Sequence, residues 1–330
     1  MEEWNEKKEK RILRRYRFVL TYRILRVLMI LGFCYFVYLL TLNIIYDSTA
    51  KGNKLNTYAS LAVDWTYPGL SSDFHRKNRT EISPLWTQHA TVTLTRTIGK
   101  EQVYAGDLHV KKPFITSFTQ KQYDILPNLE PKFSFYLPYH PVHGQSLGAN
   151  ERKGVWETLD RIHEGTVADL AFSTKDYYTP EEMFKLLADF DVDFQWMALY
   201  MGEMVEFKPN LLGSSSNTLS VQPWGLTHGK SVGEDYHVIA VQYLGPANSV
   251  EVQSRMLQNM ERIYTEDPKL VEMVFQDTHF EKRLNYLKEH GFQVYGAVVT
   301  GPVKELLRLQ ELDEIQGVQL GEITYWNWSR

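Results

Sequence analysis

The hydrophobic pattern divides the chain into one long apolar run and a remainder with shorter periodic segments. Residues 27–46, VLMILGFCYFVYLLTLNIIY, are 20 consecutive residues without a charge. At about 1.5 Å of rise per residue, a helix of this length crosses the roughly 30 Å hydrocarbon core of a bilayer. Because the run is apolar on every face, it predicts a transmembrane helix rather than a buried core helix. A signal peptide cleaved after Ala50 is the alternative, although the apolar part of such peptides usually has only about 7–15 residues.

The charges on either side of this run predict its orientation. Residues 1–26 contain nine Lys or Arg against four Glu, whereas the first charges after the run are Asp47, Lys51 and Lys54. The positive-inside rule therefore predicts a cytoplasmic N-terminus and an extracytoplasmic C-terminal part. The tail has a net charge of +5, so the rest of a chain whose total is −4 has −9. This acidic remainder argues against direct binding to nucleic acid.

The basic tail, residues 1–26, has helical periodicity of its own. Ile12, Tyr16, Val19 and Arg23 recur at helical spacing with basic residues between them. We interpret the tail as a helix that continues into the span and contacts anionic lipid headgroups. A short docking helix for a cytoplasmic protein is the alternative. The candidate contact residues of the tail are Arg11, Arg14, Arg15 and Arg17.

Residues 47–150 are predicted to form a membrane-proximal, β-rich region. Period-2 alternation predicts strands over residues 90–98 and 102–110, and a third candidate covers residues 132–144. The Pro-, Gly- and His-rich residues 138–150 mark the predicted boundary with the next domain.

Residues 151–330 are predicted to form an α+β domain. The order glycine, strand, helix, strand begins at Gly165 and again at Gly291, which gives two β-α-β units that can share one mixed sheet. In the first unit Thr179, Pro180 and Glu182 predict a helix start with a capping box. Between the units the periodicity predicts two or three helices, at about Ser249–Ile263, Leu270–Phe275 and His279–His290. The predicted fold is therefore an α+β ectodomain behind one N-terminal transmembrane helix.

Several short segments resemble catalytic or ligand-binding motifs without completing them. WGLTHGKSVG lacks the first glycine of a phosphate-binding loop, because Trp224 stands there, and we expect an ordinary loop. DFDVD, residues 189–193, has the acidic spacing of a calcium loop but lacks its glycine and its final glutamate. The pairs Glu181/Glu182 and Glu203/Glu206 are attributed to helix capping and to solvent exposure. We therefore predict no catalytic residue and no enzymatic activity.

The sequence predicts no cofactor and no metal ion. His140 and His143, with a third group such as His163, could ligate a metal ion, but two histidines in a proline-containing loop are more often ordinary surface residues. The single cysteine, Cys34, excludes a disulfide within the chain and any cysteine-based zinc site.

The segment WETLDRIHEGTVADLAFSTKDYYTPEEMFKLLADFDVDFQWMALYMGE resembles the C-terminal domain of bacterial sigma-factor regulators, the membrane-bound anti-sigma family. PWGL, VYGAVVTGP and IQGVQLGEITYW continue the resemblance, and the region from the apolar run through LAVDWTYPG is similar to the family's N-terminal region. The resemblance implies an extracytoplasmic-function sigma-factor system in which the protein acts by protein–protein contact.

The tail is shorter than the folded cytoplasmic domain that such proteins normally use. The expected partner is therefore the sigma factor or another membrane regulator, together with the lipid bilayer. The alternative is a cell-envelope scaffold without a sigma factor. Neither interpretation sets an oligomeric state.

Overall fold

One continuous helix, α1 (Glu6–Ser48), forms the N-terminal part of the protein. The computed structural model describes residues 6–73, 79–113 and 119–325, so the first five residues of the predicted tail lie outside the described residues. The helix shows no break between residues 26 and 27, where the sequence analysis divided the tail from the span. The described part of the basic tail and the apolar run therefore belong to one continuous helix.

A second helix, α2 (Lys51–Thr66), follows after a short turn at Thr49 and Ala50. The prediction of an irregular, β-rich region did not include it. Ala50 has left-handed backbone angles and provides no side-chain cap, so the usual start signal is missing. Residues 57–65 are all buried, because α2 packs between neighbouring elements. A helix buried on every side has no polar face, so its sequence lacks the alternation of apolar and polar faces by which an amphipathic helix is recognised.

The N-terminal sheet is antiparallel and has the order β1-β3-β4-β5. β2 pairs with residues 88–91 of β3, whereas β1 pairs with Leu94 and Thr95 of the same strand. The strands predicted at 90–98 and 102–110 are present as β3 and β4. The strand predicted at 132–144 is wrong: these residues form an irregular segment. The strands of this sheet are β1 (Ser71–Ser72), β2 (Arg79–Ile82), β3 (Gln88–Ile98), β4 (Glu101–Lys112) and β5 (Gln120–Ile125).

The rest of the chain alternates helices and strands. The strands are β6 (Thr166–Tyr178), β7 (Asp193–Tyr200), β8 (Leu211–Ser214), β9 (Leu219–Val221), β10 (Trp224–Leu226), β11 (Gly229–Val232), β12 (Val238–Gln242), β13 (Gln293–Pro302) and β14 (Ile315–Tyr325). The helices are α3 (Val155–Arg161), α4 (Pro180–Leu186), α5 (Ser249–Glu266), α6 (Pro268–Phe275), α7 (Phe280–His290) and α8 (Val303–Arg308). In the sequence the strand pattern of β14 runs from Ile315 to Trp328, and residues 326–328 lie outside the described part.

The C-terminal sheet has the order β10-β7-β13-β6-β14. β6-α4-β7 and β13-α8-β14 are the two units that the sequence analysis identified. Within each unit the two strands are separated by a strand of the other unit, so the units interlock. Every pairing is therefore antiparallel, and the sheet is not the mixed sheet that was considered.

The two faces of the C-terminal sheet are covered differently. α4 and α8 pack on one face, in a core that continues into α2 and the N-terminal sheet. The irregular segment that contains Phe135 and Leu137 covers the other face together with β9. This role explains why the segment has alternating apolar residues without forming a strand.

The segment WGLTHGKSVG was predicted to be a loop, and this prediction is wrong. Its first residues form β10 at the edge of the C-terminal sheet, and Gly229–Val232 form β11, which pairs with β12 in a hairpin. The signal was ambiguous because two short strands with glycines resemble a loop in composition.

Candidate functional site

The N-terminal half of α1 carries the four arginines that the sequence analysis singled out. Arg11, Arg14 and Arg15 share one face of the helix, since positions three and four residues apart are neighbours. Arg17, three positions after Arg14, is its neighbour at the edge of this face. All four residues are exposed. The guanidinium groups are therefore accessible to carboxylates or phosphates, with which arginine forms bidentate hydrogen bonds.

The opposite side of the same segment is apolar. Ile12, Leu13, Tyr16 and Leu20 follow helical spacing, and they are between 48% and 68% exposed. Apolar side chains this accessible over two helical turns are typical of a helix that docks in a groove or lies on a membrane surface. The segment therefore combines a basic face with an apolar face, and both are open.

The C-terminal half of α1 joins this segment to the body of the protein. In the described part of the chain, one helix is long and apolar enough to cross a membrane, by length and composition, and it is α1. Most of its large apolar side chains are exposed, whereas Leu42 and Tyr46 are buried against the folded body. The last turns of α1 thus belong to the fold that follows.

A polar cavity of about 270 Å³ lies between β1, β3 and the β11–β12 hairpin. The lysine of the Gly-Lys-Ser sequence, Lys230, lies at this cavity and forms a buried ion pair with Asp64, with 2.6 Å between Nζ and Oδ2. The Lys230 ammonium group also donates to the carbonyl and the hydroxyl oxygen of Ser72. These contacts satisfy the lysine within the fold, so it connects α2, β1 and β11 rather than binding a phosphate.

His228 lies at the same cavity in its neutral form. Burial is the main cause that lowers the pKa of His228 to about 4. The charge of Lys230 lowers the pKa further, whereas the charge of Asp64 raises it and offsets part of the shift. The backbone N–H of Leu244 donates to His228 Nδ1 over 3.0 Å, a hydrogen bond that needs the unprotonated nitrogen. The imidazole therefore contributes a fixed hydrogen bond and no charge at neutral pH.

Glu203 corrects the expectation that the Glu203/Glu206 pair reflects exposure. Glu203 is 1% exposed and forms an ion pair with Arg283. The same arginine pairs with Asp277 over 2.7 Å and lies against the rings of Phe207 and Trp224. Such a buried, fully paired group stabilises packing and offers no free acid or base.

His140 and His143, which the sequence analysis weighed as metal ligands, lie next to each other. His140 and His143 stack on each other, with 4.5 Å between ring centroids, in a turn outside the sheets. Within residues 6–73, 79–113 and 119–325, no group of three or more His, Cys, Asp or Glu side chains is arranged to hold a metal ion.

The sequence analysis identified the basic residues of α1 but missed the buried polar groups around Lys230. Asp64 and Lys230 are separated by 166 positions, so no local pattern could pair them. A usable signal was present: Lys230 follows apolar β10 closely, and a lysine in such a context needs a carboxylate partner.

Comparison with known proteins gives a consistent result. Residues 159–322 match the family model described as "Sigma factor regulator C-terminal", and residues 10–103 match the model described as "Sigma factor regulator N-terminal". A protein of Bacillus subtilis (strain 168), the probable anti-sigma-M factor YhdL, is 26% identical over 288 residues. That alignment covers 84% of this chain and 71% of the relative. No solved structure matches the chain.

Proposed function

This chain belongs to the sigma factor regulator family, and we propose that it acts from a membrane as an anti-sigma protein for an extracytoplasmic-function sigma factor. It does so by binding protein rather than by catalysis. The name of the Bacillus relative supports a sigma factor as the partner. The basic and apolar faces of the first half of α1 form the proposed contact.

The exposure of that segment is the observation that carries the proposal. Arg11, Arg14 and Arg15 are exposed on one side, and Ile12 and Tyr16 are exposed on the other. A free helix in water gains little from exposed apolar side chains, whereas a helix that docks in a protein groove buries them. The arginines can then pair with acidic groups at the rim, which favours the correct partner.

The membrane topology follows from the same helix. α1 crosses the membrane over about residues 27–46, with the basic half in the cytoplasm, where the sigma factor is, and the acidic remainder outside. The packing of Leu42 and Tyr46 into the folded body supports an uncleaved anchor, because cleavage after Ala50 would remove both from the core. The outer domain then senses a signal or docks a second protein.

The partner of the basic segment is either the sigma factor itself or a second membrane regulator that holds it. Within the described residues this segment is a single exposed helix, so the contact area that the helix offers is small. A small interface is typical of a transient or assisted complex.

Capture of sigma factors by the full-length chain tests the proposal. The chain is purified from bacterial membranes, and co-purified sigma factors are identified by mass spectrometry. We expect R11A/R14A/R15A to lose most of the captured sigma factor. A matched control, K153A/R161A/K175A, removes three exposed charges from the outer domain and should retain it. Equal capture by both variants would overturn the assignment of the basic face, and no sigma factor with any of the three proteins would overturn the proposed function.

A further inference from the structure

The turn that joins β2 to β3 presents two large apolar side chains. Leu85 is 84% exposed and Trp86 is 42% exposed. Both belong to residues 83–87, Ser-Pro-Leu-Trp-Thr, which contain no charge. The exposed surface of these two side chains, and of Leu85 above all, is available for contact with an apolar surrounding.

The structure holds this turn against α1. The hydroxyl group of Tyr38 donates a hydrogen bond to the carbonyl oxygen of Pro84 over 2.7 Å. The contact joins positions that are 46 residues apart. β2 also packs directly on α1. The height of the turn relative to a membrane is therefore fixed by the position of Tyr38 along the helix.

Tyr38 lies well inside the apolar run. It precedes Tyr46, the last residue of the predicted span, by eight positions, which corresponds to about 12 Å along a helix. The hydrocarbon core is roughly 30 Å thick, so Tyr38 lies below its outer boundary when residues 27–46 fill it. A turn at the same height is then surrounded by lipid rather than by water.

On this geometry we propose that the β2–β3 turn inserts Leu85 and Trp86 into the outer leaflet of the membrane that α1 crosses. The inference rests on the proposed function only in that α1 is a membrane anchor. The partner is the lipid bilayer itself. The side chains of leucine and tryptophan both gain free energy on transfer from water into apolar surroundings.

The backbone of the turn is suited to an apolar surrounding. Unpaired backbone polar groups are costly in lipid. The Pro84 carbonyl is bonded to Tyr38, and proline has no N–H. The N–H of Ser83 donates to the Thr87 carbonyl and the N–H of Trp86 donates to the Ser83 carbonyl. The Thr87 N–H donates to the Ser83 hydroxyl. Side-chain and backbone acceptors together therefore satisfy most of the backbone N–H groups of the turn.

Cations lie beside the same end of the sheet. Lys112 and Lys111 end β4 and pair with Gln88 and His89 at the start of β3, next to the turn. Lys51 begins α2 directly after α1. Lysines at this position can contact lipid phosphates while the turn lies deeper. The apolar tip therefore lies beside lysines and also beside Glu81, which stands opposite His89 in the β2–β3 register.

Site-directed fluorescence measures the depth of the turn in the full-length protein. The chain has one cysteine, Cys34, which lies in the span and is exposed. Three proteins are labelled with an environment-sensitive probe: wild type at Cys34, C34S/L85C and C34S/V250C. Each is reconstituted in phosphatidylcholine bilayers with and without lipids that carry a nitroxide quencher in the lower half of the acyl chain, which is the depth expected for positions 34 and 85. Val250, 74% exposed at the start of α5, is the apolar control.

We expect blue-shifted emission and quenching for probes at 34 and 85, and neither for the probe at 250. Quenching at 34 with none at 85 would overturn the inference and leave the anchor intact. No quenching at 34 would overturn the anchor and the inference together. Equal quenching at 85 and 250 would also overturn the inference, because the whole body would then lie on the bilayer.

Discussion

At the scale of single residues, the position of Trp196 shows how closely the described core is packed. The indole is 1% exposed, its N–H donates to the carbonyl oxygen of Asp64 over 3.0 Å, and its ring lies 5.3 Å from that of Phe135. It thereby joins α2 to the C-terminal sheet. The neighbouring strand can approach only because residue 225 is a glycine: a Cβ atom there would overlap the indole ring.

The substitution Gly225→Ala tests this packing. We expect it to lower the free energy of unfolding by about 1–3 kcal/mol, since a fixed ring and a fixed strand must separate. Gly213→Ala is the matched control, because no heavy atom lies within 4 Å of a Cβ built there. It should change the free energy by less than about 0.5 kcal/mol. Urea unfolding in detergent micelles measures both, and equal effects would contradict the account of the packing.

His228 predicts a dependence of stability on pH. Its pKa is about 4 in the folded protein and 6.5 for an ordinary histidine, so the unfolded chain binds more protons between these values. The contribution of this group to the free energy of unfolding is therefore complete above pH 6.5 and is lost as the pH falls toward 4, with an upper limit of about 3–4 kcal/mol.

The variant His228→Gln should remove this part of the pH dependence, because glutamine accepts the hydrogen bond from Leu244 without titrating. The free energy of unfolding is measured at intervals between pH 4 and pH 7. His143→Gln, at an exposed position, is the control and should keep the wild-type slope. A wild-type slope in His228→Gln would show that the buried imidazole is not responsible.

At the scale of elements, the helix α4 illustrates what local sequence can specify. Thr179 accepts a hydrogen bond from the N–H of Glu182, and the Glu182 carboxylate accepts one from the N–H of Thr179. Pro180 occupies the first helical position. All these partners lie within four residues, so the pattern alone predicted the helix start, and the structure confirms it.

Loss of the cap should destabilise the protein by a modest amount. Thr179→Ala removes the side-chain acceptor, and we expect the free energy of unfolding to fall by about 1 kcal/mol. Thr179→Ser retains the hydroxyl and should behave nearly as wild type. Thermal unfolding of the three proteins under identical conditions makes the comparison. An alanine variant as stable as the serine variant would mean that the capping box contributes nothing measurable.

Elements defined by distant contacts escaped the sequence analysis. α2 lacks a capping side chain and is buried on nearly every side. Its sequence therefore contains neither a helix-start signal nor a helical period of apolar and polar residues. The apolar residues of 132–144 alternate because they cover a sheet, and alternation alone does not separate this role from a strand. The basic face of α1 was predictable because helical spacing is local. The contact between Tyr38 and Pro84 was not, since it spans 46 positions.

At the scale of the whole molecule, α1 connects two proposed environments. Its basic half would lie in the cytoplasm and its apolar half in the membrane, and its last turns pack on the outer body. The β2–β3 turn would give that body a second contact with the lipid. A body held at two points would have a defined orientation, so a change in the proposed outer domain would reach the proposed cytoplasmic segment through one continuous helix.

Photocrosslinking in living cells tests the central claim most directly. A photoreactive amino acid replaces Tyr16, on the exposed apolar side of the proposed cytoplasmic segment, or Val250, on the proposed outer domain. Crosslinked products are identified by mass spectrometry. The account predicts a sigma factor, or a membrane regulator that itself holds one, joined to position 16 and neither joined to position 250. A sigma factor joined to position 250, or neither a sigma factor nor such a regulator joined to position 16, would contradict it.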